Sequence, residues 1–288
     1  MMKIEVNHLT KSYKQKLALD NVSFTLDGPK IYGLLGRNGA GKTTFMEILT
    51  GHILASKGEI LINGEKPFDN QKLTESICLI KEGNNFQDNL KIKQVFNLYA
   101  LFHPGWDWDL AYELLDVYDL DLTMKVKALS KGMASALGVI VGLSTKAPIT
   151  IFDEPYIGLD AAARSKFYEL LLREYEKEPR VIIFSTHLID EVSLMFEEVL
   201  ILQKGTLTLQ HSADYLRDHH YAISGPAEKV QAFLSDQDII RTKELAGMMT
   251  AYVKGNPEDA VAAGFETESI PIQELMIALT ESATEKEA

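Results

Sequence analysis

Nine consecutive residues, Gly36-Arg37-Asn38-Gly39-Ala40-Gly41-Lys42-Thr43-Thr44, have the types and spacing of the pattern G-x-x-x-x-G-K-[ST]. Glycines in such a run leave no Cβ to block an approaching group, so successive backbone N–H donors can surround a polyphosphate. A helix that starts inside the run adds its unpaired N–H groups and the positive end of its dipole. In this pattern Lys42 reaches the β- and γ-phosphates and the Thr43 hydroxyl ligates Mg²⁺. A nucleoside triphosphate with Mg²⁺ is therefore the expected ligand.

Other residues along the chain would complement that chemistry. Asp153 and Glu154 end the apolar run Ile149-Thr150-Ile151-Phe152. Asp153 is placed to hold the Mg²⁺ shell, and Glu154 to polarise an attacking water as general base. Taken alone, apolar-apolar-Asp-Glu recurs often by chance. His187 ends Ser185-Thr186-His187 after the next apolar run, where it would sense a γ-phosphate, although a lone histidine more often has a structural role. Gly158-Leu159-Asp160 follows the carboxylates within one turn and precedes a helix expected from Ala161. In Leu129-Ser130-Lys131-Gly132-Met133, Ser130 is a strong helix N-cap. Lys131 opposes the helix dipole there. It is either a solvated lysine or a cation waiting for an anion at that helix end.

The elements that must position these residues follow from periodicity. Lys30–Leu35 reads as a strand leading into the glycine run, and Thr44–Thr50 as a helix closed by Gly51. Lys3–Leu9, Val22–Leu26 and Gly58–Ile62 alternate polar and apolar residues, as half-buried strands do, and Asn63-Gly64 is a tight turn. From Asn89 to Lys127 the pattern is helical, with Val95, Leu98, Tyr99 and Phe102 on one apolar face. Pro104-Gly105 breaks it, and Asp107 caps a second helix carrying Leu110, Leu114, Leu115 and Tyr118. Ile149–Phe152 and Arg180–Phe184 are nearly continuous apolar runs, as expected of parallel strands covered on both faces. Val199–Leu202 with Lys204-Gly205 closes a hairpin. After about Gln210 a small α+β appendage is expected: a strand at Tyr221–Ser224, a helix at Glu228–Leu234, a strand pair around Ile239 and Tyr252, a helix at Gln273–Thr280 and a frayed polar tail, Glu281–Ala288.

With 288 residues the chain has room for about two domains. Twenty-nine Lys+Arg against 41 Asp+Glu give a net charge of −12 with no basic block, so nucleic acid is not an expected partner. The single cysteine, Cys78, lies in an apolar run and implies a reducing compartment. The N-terminus lacks a signal peptide's apolar core and no run of 18 apolar residues occurs, so a cytoplasmic chain that meets a membrane only through a partner is expected.

In order, then, come a phosphate loop, a Ser-x-Gly helix start, a strand with Asp-Glu, Gly-Leu-Asp and a strand with His. This set resembles the ATP-binding cassette (ABC) ATPases from roughly Lys3 to Gln210. The resemblance implies an α/β P-loop NTPase fold with an antiparallel β subdomain and an α-helical subdomain at about 87–140, making residues 1–210 the ATP-binding domain and 211–288 an accessory one. It implies that Tyr13 stacks on adenine, that Gly36 to Thr44 are Walker A, and that Asp153 and Glu154 are Walker B and the catalytic glutamate. Asp160 then belongs to the D-loop and His187 is the switch histidine. Two copies would sandwich two ATPs, each between one protomer's Walker A and the other's signature helix at Ser130, Lys131 and Gly132.

Two motifs depart from the family pattern. The signature Leu-Ser-Gly-Gly-Gln has Lys131 and Met133 in place of its first Gly and its Gln, and Glu82 replaces the Q-loop glutamine. Glu82 can still ligate Mg²⁺ through water, and Lys131 is expected to offset its charge across the dimer. The variant signature, the Pro104–Trp108 segment and the appendage look like ATPase subunits of bacterial exporters with ABC-2-type permeases, including those handling antimicrobial or cytolytic peptides. A permease would dock near the Q-loop and the Phe86–Trp108 region, with Phe86, Trp106 and Trp108 at the surface and Phe96, Tyr99 and Phe102 in the core. The alternative is a soluble ABC ATPase of translation or DNA maintenance. Against it stand the single cassette, a Gly36-to-Leu129 gap too short for a coiled-coil arm, and the absence of zinc-type cysteines or a basic stripe. A catalytically idle regulatory subunit is a third reading, against which Lys42, Glu154 and His187 are all present.

Overall fold

A computed structural model describes residues 2–14 and 16–285. The chain opens with β1 (Lys3–Tyr13) and β2 (Lys16–Asp27) as an antiparallel pair. β3 (Lys30–Leu35) runs into the glycine loop, α1 (Lys42–Leu49) leaves it, and β4 (Lys57–Ile62) returns to pair with β1. The order β2-β1-β4 makes a three-stranded antiparallel sheet. Its alternation has the expected cause: Ile4, Val6 and Leu9 point inward with Val22, Phe24, Leu26, Ile60 and Ile62. β1 runs past the expected Leu9 to Tyr13 through register shifts.

α2 (Gln71–Glu75) and β5 (Ile77–Ile80) precede the helices α3 (Ile92–Phe102), α4 (Trp108–Val117) and α5 (Lys131–Ser144). β6 (Ile149–Asp153), α6 (Ala161–Lys177), β7 (Val181–Ser185), α7 (Ile189–Val192), β8 (Glu198–Gln203) and β9 (Thr206–Ser212) follow. Six strands form one sheet in the order β5-β6-β7-β3-β8-β9, all parallel except β9 against β8. Every residue of β6 and β7 is buried, as strands covered on both faces must be. The sheet carries the phosphate loop, the Asp-Glu pair and His187 at the carboxyl ends of β3, β6 and β7, the edge where open α/β sheets place their ligands.

The face of α3 differs from expectation. Its buried residues are Ile92, Val95 and Phe96, with Tyr99 half-buried, whereas Leu98 and Phe102 are exposed and Leu101 is 76% exposed. Two helical stripes, 92/95/96/99 and 95/98/99/102, share Val95 and Tyr99, and the one that meets Trp106 wins: the Phe96 and Trp106 rings lie 5.4 Å apart. Trp106 is accordingly buried, not at the surface, because the Pro104-Gly105 turn folds it back under α3. Phe86 is half-buried and Trp108 exposed.

The expected boundary after Gln210 falls inside β9. Beyond it run α8 (Ala213–His219), β10 (His220–Pro226), α9 (Ala227–Phe233), β11 (Asp238–Leu245), β12 (Met248–Lys254), α10 (Pro257–Ala262), β13 (Thr267–Ser269) and α11 (Ile272–Glu285). β10 to β13 form an antiparallel sheet in the order β11-β12-β10-β13. With the helices this is a β-α-β-β-α-β unit of ferredoxin-like topology. It has its own core, including Tyr221, Ile223, Val230, Val253 and Phe265. α8, α10 and β13 are additional to the elements expected from the sequence. α11 runs past Thr280 to Glu285, and 286–288 of the expected polar tail lie outside the described residues.

Candidate functional site

α1 begins inside the glycine run with Gly41 as its N-cap, at φ 107. That left-handed backbone suits glycine, and a Cβ there would lie 2.5 Å from the Ala18 carbonyl oxygen. No side chain caps α1, and no acidic residue lies in its first turn. Asn70, Asp107, Ser130, Asp160, Ser212 and Asn256 cap α2, α4, α5, α6, α8 and α10. The first N–H groups of α1 therefore point toward open space, which is the condition for holding an anion.

That space is a cavity of about 400 Å³ lined by the 38–44 loop, Tyr13, Lys16, Glu82, Asp153 and Glu154. Gly36 is buried behind the loop and Arg37 is exposed beside it. Tyr13 is half-exposed at the end of β1, with Lys11 Nζ 5.0 Å from its ring centroid. Lys42 is buried and donates to the Gly36 carbonyl oxygen at 2.7 Å. Burial lowers its pKa, against the pull of Glu154 and Asp153. A buried ammonium bonded to a neutral carbonyl, next to uncapped N–H groups, fits a polyphosphate.

Asp153 closes β6 facing α1, where Thr43 Oγ1 donates to its Oδ2 at 3.0 Å. Burial pushes the Asp153 carboxyl above the usual range, opposed by hydrogen bonds and by Lys42. This hydroxyl–carboxylate pair is a set of hard oxygen donors such as Mg²⁺ takes, usually keeping part of its shell for water and phosphate. Among the described residues no group of three or more His, Cys, Asp or Glu side chains is gathered as a metal cage. The residues present thus fit an ion shared with a phosphate ligand.

Glu154 sits at φ 52, a left-handed conformation uncommon for a non-glycine residue and of the kind concentrated at functional sites. Its backbone N–H donates to the Ser185 carbonyl oxygen at 3.0 Å, locking the end of β6 to β7. Its carboxylate lies 2.8 Å from His187 Nδ1. Tyr156, which no sequence motif singles out, has a buried hydroxyl that bonds to Glu154 Oε2, to Thr186 Oγ1 at 2.7 Å and to the His187 backbone N–H at 3.2 Å. Nothing in a Pro-Tyr dipeptide signals such a hub; only the approach of β6 and β7 creates it.

Ser130 caps α5 through the Met133 N–H at 3.2 Å, and Asp160 caps α6 through the Ala163 N–H at 2.8 Å. Neither belongs to the lining of the loop cavity. Gly132 meets the loop before α6: a Cβ on it would lie 2.5 Å from the Gly158 carbonyl oxygen. Lys131 Nζ lies 3.5 Å from Glu82 Oε1 within the same chain, both side chains more than half exposed. These two charges therefore already lie within reach of each other inside one chain, because α5 starts beside the loop that follows β5.

Comparison with known proteins agrees with this geometry. A family model described as ABC transporter matches residues 19–157. The ABC transporter ATP-binding protein YtrB of Bacillus subtilis is 29% identical over 76% of this chain and 75% of its own length. The uncharacterized ABC transporter ATP-binding protein YcbN of the same organism is 31% identical over 74% of this chain and 71% of its own. Among solved structures, the ATP-binding subunit of an ABC transporter is 26% identical with a TM-score of 0.67, covering 74% of this chain and 91% of its own. The dimeric ATP-binding cassette MJ0796 with ADP and Pi, 22% identical with a TM-score of 0.65 over 73% of this chain and 98% of its own, shares the fold.

Proposed function

The chain belongs to the ABC transporter ATP-binding proteins, and from that premise we propose that it is the ATP-hydrolysing subunit of a membrane exporter for peptide or drug-like substrates. The observation that carries the ATPase part is the convergence at one sheet edge of an uncapped helix N-terminus, a buried lysine and the Asp153/Glu154 pair. In this reading the 38–44 loop and Lys42 hold the phosphates, and Tyr13 stacks on the base. Thr43, Asp153 and Glu82 hold Mg²⁺, which when bound neutralises charge on the phosphate oxygens. Glu154 takes a proton from the attacking water as general base, and His187 contacts the terminal phosphate. Ser130, Lys131, Gly132 and Asp160 lie outside the cavity of their own chain, so they serve the site of a second ATPase protomer. Residues 1–210 act as the ATP-binding domain and 211–288 as an accessory domain.

Among the described residues no helix is long and apolar enough to cross a membrane, so the reading requires a separate integral-membrane permease, with this chain peripheral on the cytoplasmic face. A groove of about 800 Å³ next to the loop after β5, lined by Phe86, Leu98, Tyr99 and Phe102 among others, supports docking there. Large apolar side chains left at a concave surface mark an interaction site. The export direction and substrate class rest on the variant signature, the Pro104–Trp108 segment and the appendage.

Purification of the tagged chain from its native membrane in mild detergent tests this function. Co-purification of a polytopic membrane protein is expected, and a second, different ATPase beside it would make the dimer a heterodimer. Recovery in the soluble fraction alone, or with ribosomes or DNA, would overturn the transporter reading.

A further inference from the structure

We propose that Tyr156 is a positioning residue that fixes which oxygen of Glu154 faces the attacking water and which nitrogen of His187 carries a proton; the proposal rests on the assignment of Glu154 as general base made above. A tyrosine hydroxyl has one hydrogen and two lone pairs. The Tyr156 hydrogen goes to Glu154 Oε2, which as an ionised carboxylate oxygen can only accept. One lone pair accepts the His187 backbone N–H at 3.2 Å. The other accepts the Thr186 hydroxyl at 2.7 Å, since Thr186 Oγ1 itself accepts from the Leu188 N–H at 2.8 Å and keeps its own hydrogen for Tyr156. The hydroxyl is then saturated.

Two consequences follow. His187 Nδ1 lies 3.2 Å from the Tyr156 oxygen but finds no free hydrogen or lone pair there, whereas Glu154 Oε2 is 2.8 Å away. Nδ1 therefore carries a hydrogen and donates it to Glu154, and Nε2 is the nitrogen left to meet a ligand. Glu154 receives both donors on Oε2, and among the described residues no donor is bonded to Oε1. That oxygen is free to take a proton from water. The Tyr156 ring is 2% exposed within the main core, which holds the hydroxyl in place. Burial, with the Glu154 hydrogen bond second, raises the phenol pKa well above its ordinary value, so the hydrogen stays on the tyrosine.

The test is a double-mutant cycle on the full chain: wild type, Y156F, E154Q and Y156F/E154Q, each assayed for steady-state ATP hydrolysis, for binding of a fluorescent ATP analogue and for thermal melting. Y156F keeps the ring. Its kcat should fall about tenfold to a hundredfold, the cost of misplacing a reacting group by about an ångström, with analogue affinity unchanged. Y156F/E154Q should be no slower than E154Q, because the tyrosine acts only through the glutamate. Full kcat in Y156F, or an additive loss in the double variant, would overturn the proposal while leaving the base assignment standing. Full turnover in E154Q would remove that assignment and the proposal with it. Should Y156F not fold, T186V removes the donor that orients the hydroxyl. It should lower kcat by about threefold to tenfold at unchanged affinity, and full kcat there would overturn the proposal equally.

Discussion

Glu174 and Glu154 are both carboxylates set against the same α/β core, in opposite surroundings. Glu174, on α6, is almost fully buried and accepts from Lys146 Nζ at 2.5 Å, Lys177 Nζ at 2.8 Å and Arg173 Nε at 2.9 Å. Burial pushes its carboxyl up, but those cations outweigh burial and hold it at about 2. Arg173 reaches on to Glu113 of α4 at 2.6 Å, so the cluster ties α6 to α4 and to the turn after α5. At the other end of the fold, Asp153 and Glu154 share one buried lysine that is itself bonded to a carbonyl. Burial raises the Asp153 carboxyl without full compensation. The saturated cluster holds helices together. The under-compensated one is left able to take up a cation and an anion, which is what a Mg²⁺–ATP site requires.

Substitutions that exchange these roles would break the comparison. The largest effect is expected from E154Q: turnover should fall by about 10²- to 10⁴-fold, the range of general-base catalysis, with an unchanged melting temperature. E174A should do the reverse. Leaving Lys146 nearly buried with only Asp107, 3.9 Å away, should cost about 3 kcal/mol in urea unfolding, with turnover per folded molecule retained. A pH titration of stability sharpens the point. The depressed Glu174 carboxyl gives stability that is fully present above its ordinary pKa of 4.5 and lost as pH falls toward about 2. The wild type should therefore lose about 2–3 kcal/mol more over that interval than E174Q does. A smaller effect of opposite sign is expected from D153N. A carboxyl raised by burial destabilises the fold as pH climbs above its unfolded value, so neutral Asn should stabilise the nucleotide-free chain at pH 7. The same variant should lose the rise in melting temperature that Mg²⁺–ATP gives the wild type. Destabilisation by D153N would contradict the view of Asp153 as under-compensated.

The phosphate loop and the Asp-Glu strand end were legible because their signals are local: glycines, a lysine and carboxylates at fixed offsets within one or two elements. The caps Asp107 and Ser130 were legible for the same reason, each bonding three residues ahead. What escaped depends on contacts distant in sequence. Tyr156 gains Thr186 and His187 from the segment just after β7, 30 and 31 residues away. The buried stripe of α3 was ambiguous between two helical registers, and Trp106 on the next turn chose between them. Lys131 and Glu82 are 49 residues apart, and their approach depends on how α5 seats beside β5. The appendage gave up several elements one by one, but its β-α-β-β-α-β order needed the short α10 and β13, whose patterns are too brief to read.

The most direct test of the account is the molar mass of E154Q by light scattering, with and without Mg²⁺–ATP. If the under-compensated cluster binds nucleotide and the exposed helix starts at Ser130 and Asp160 serve a second copy, the variant should pass from one chain's mass, 32.2 kDa, to twice that when Mg²⁺–ATP is added, and D153N should not. A variant that binds ATP and stays at one chain's mass would contradict the shared site.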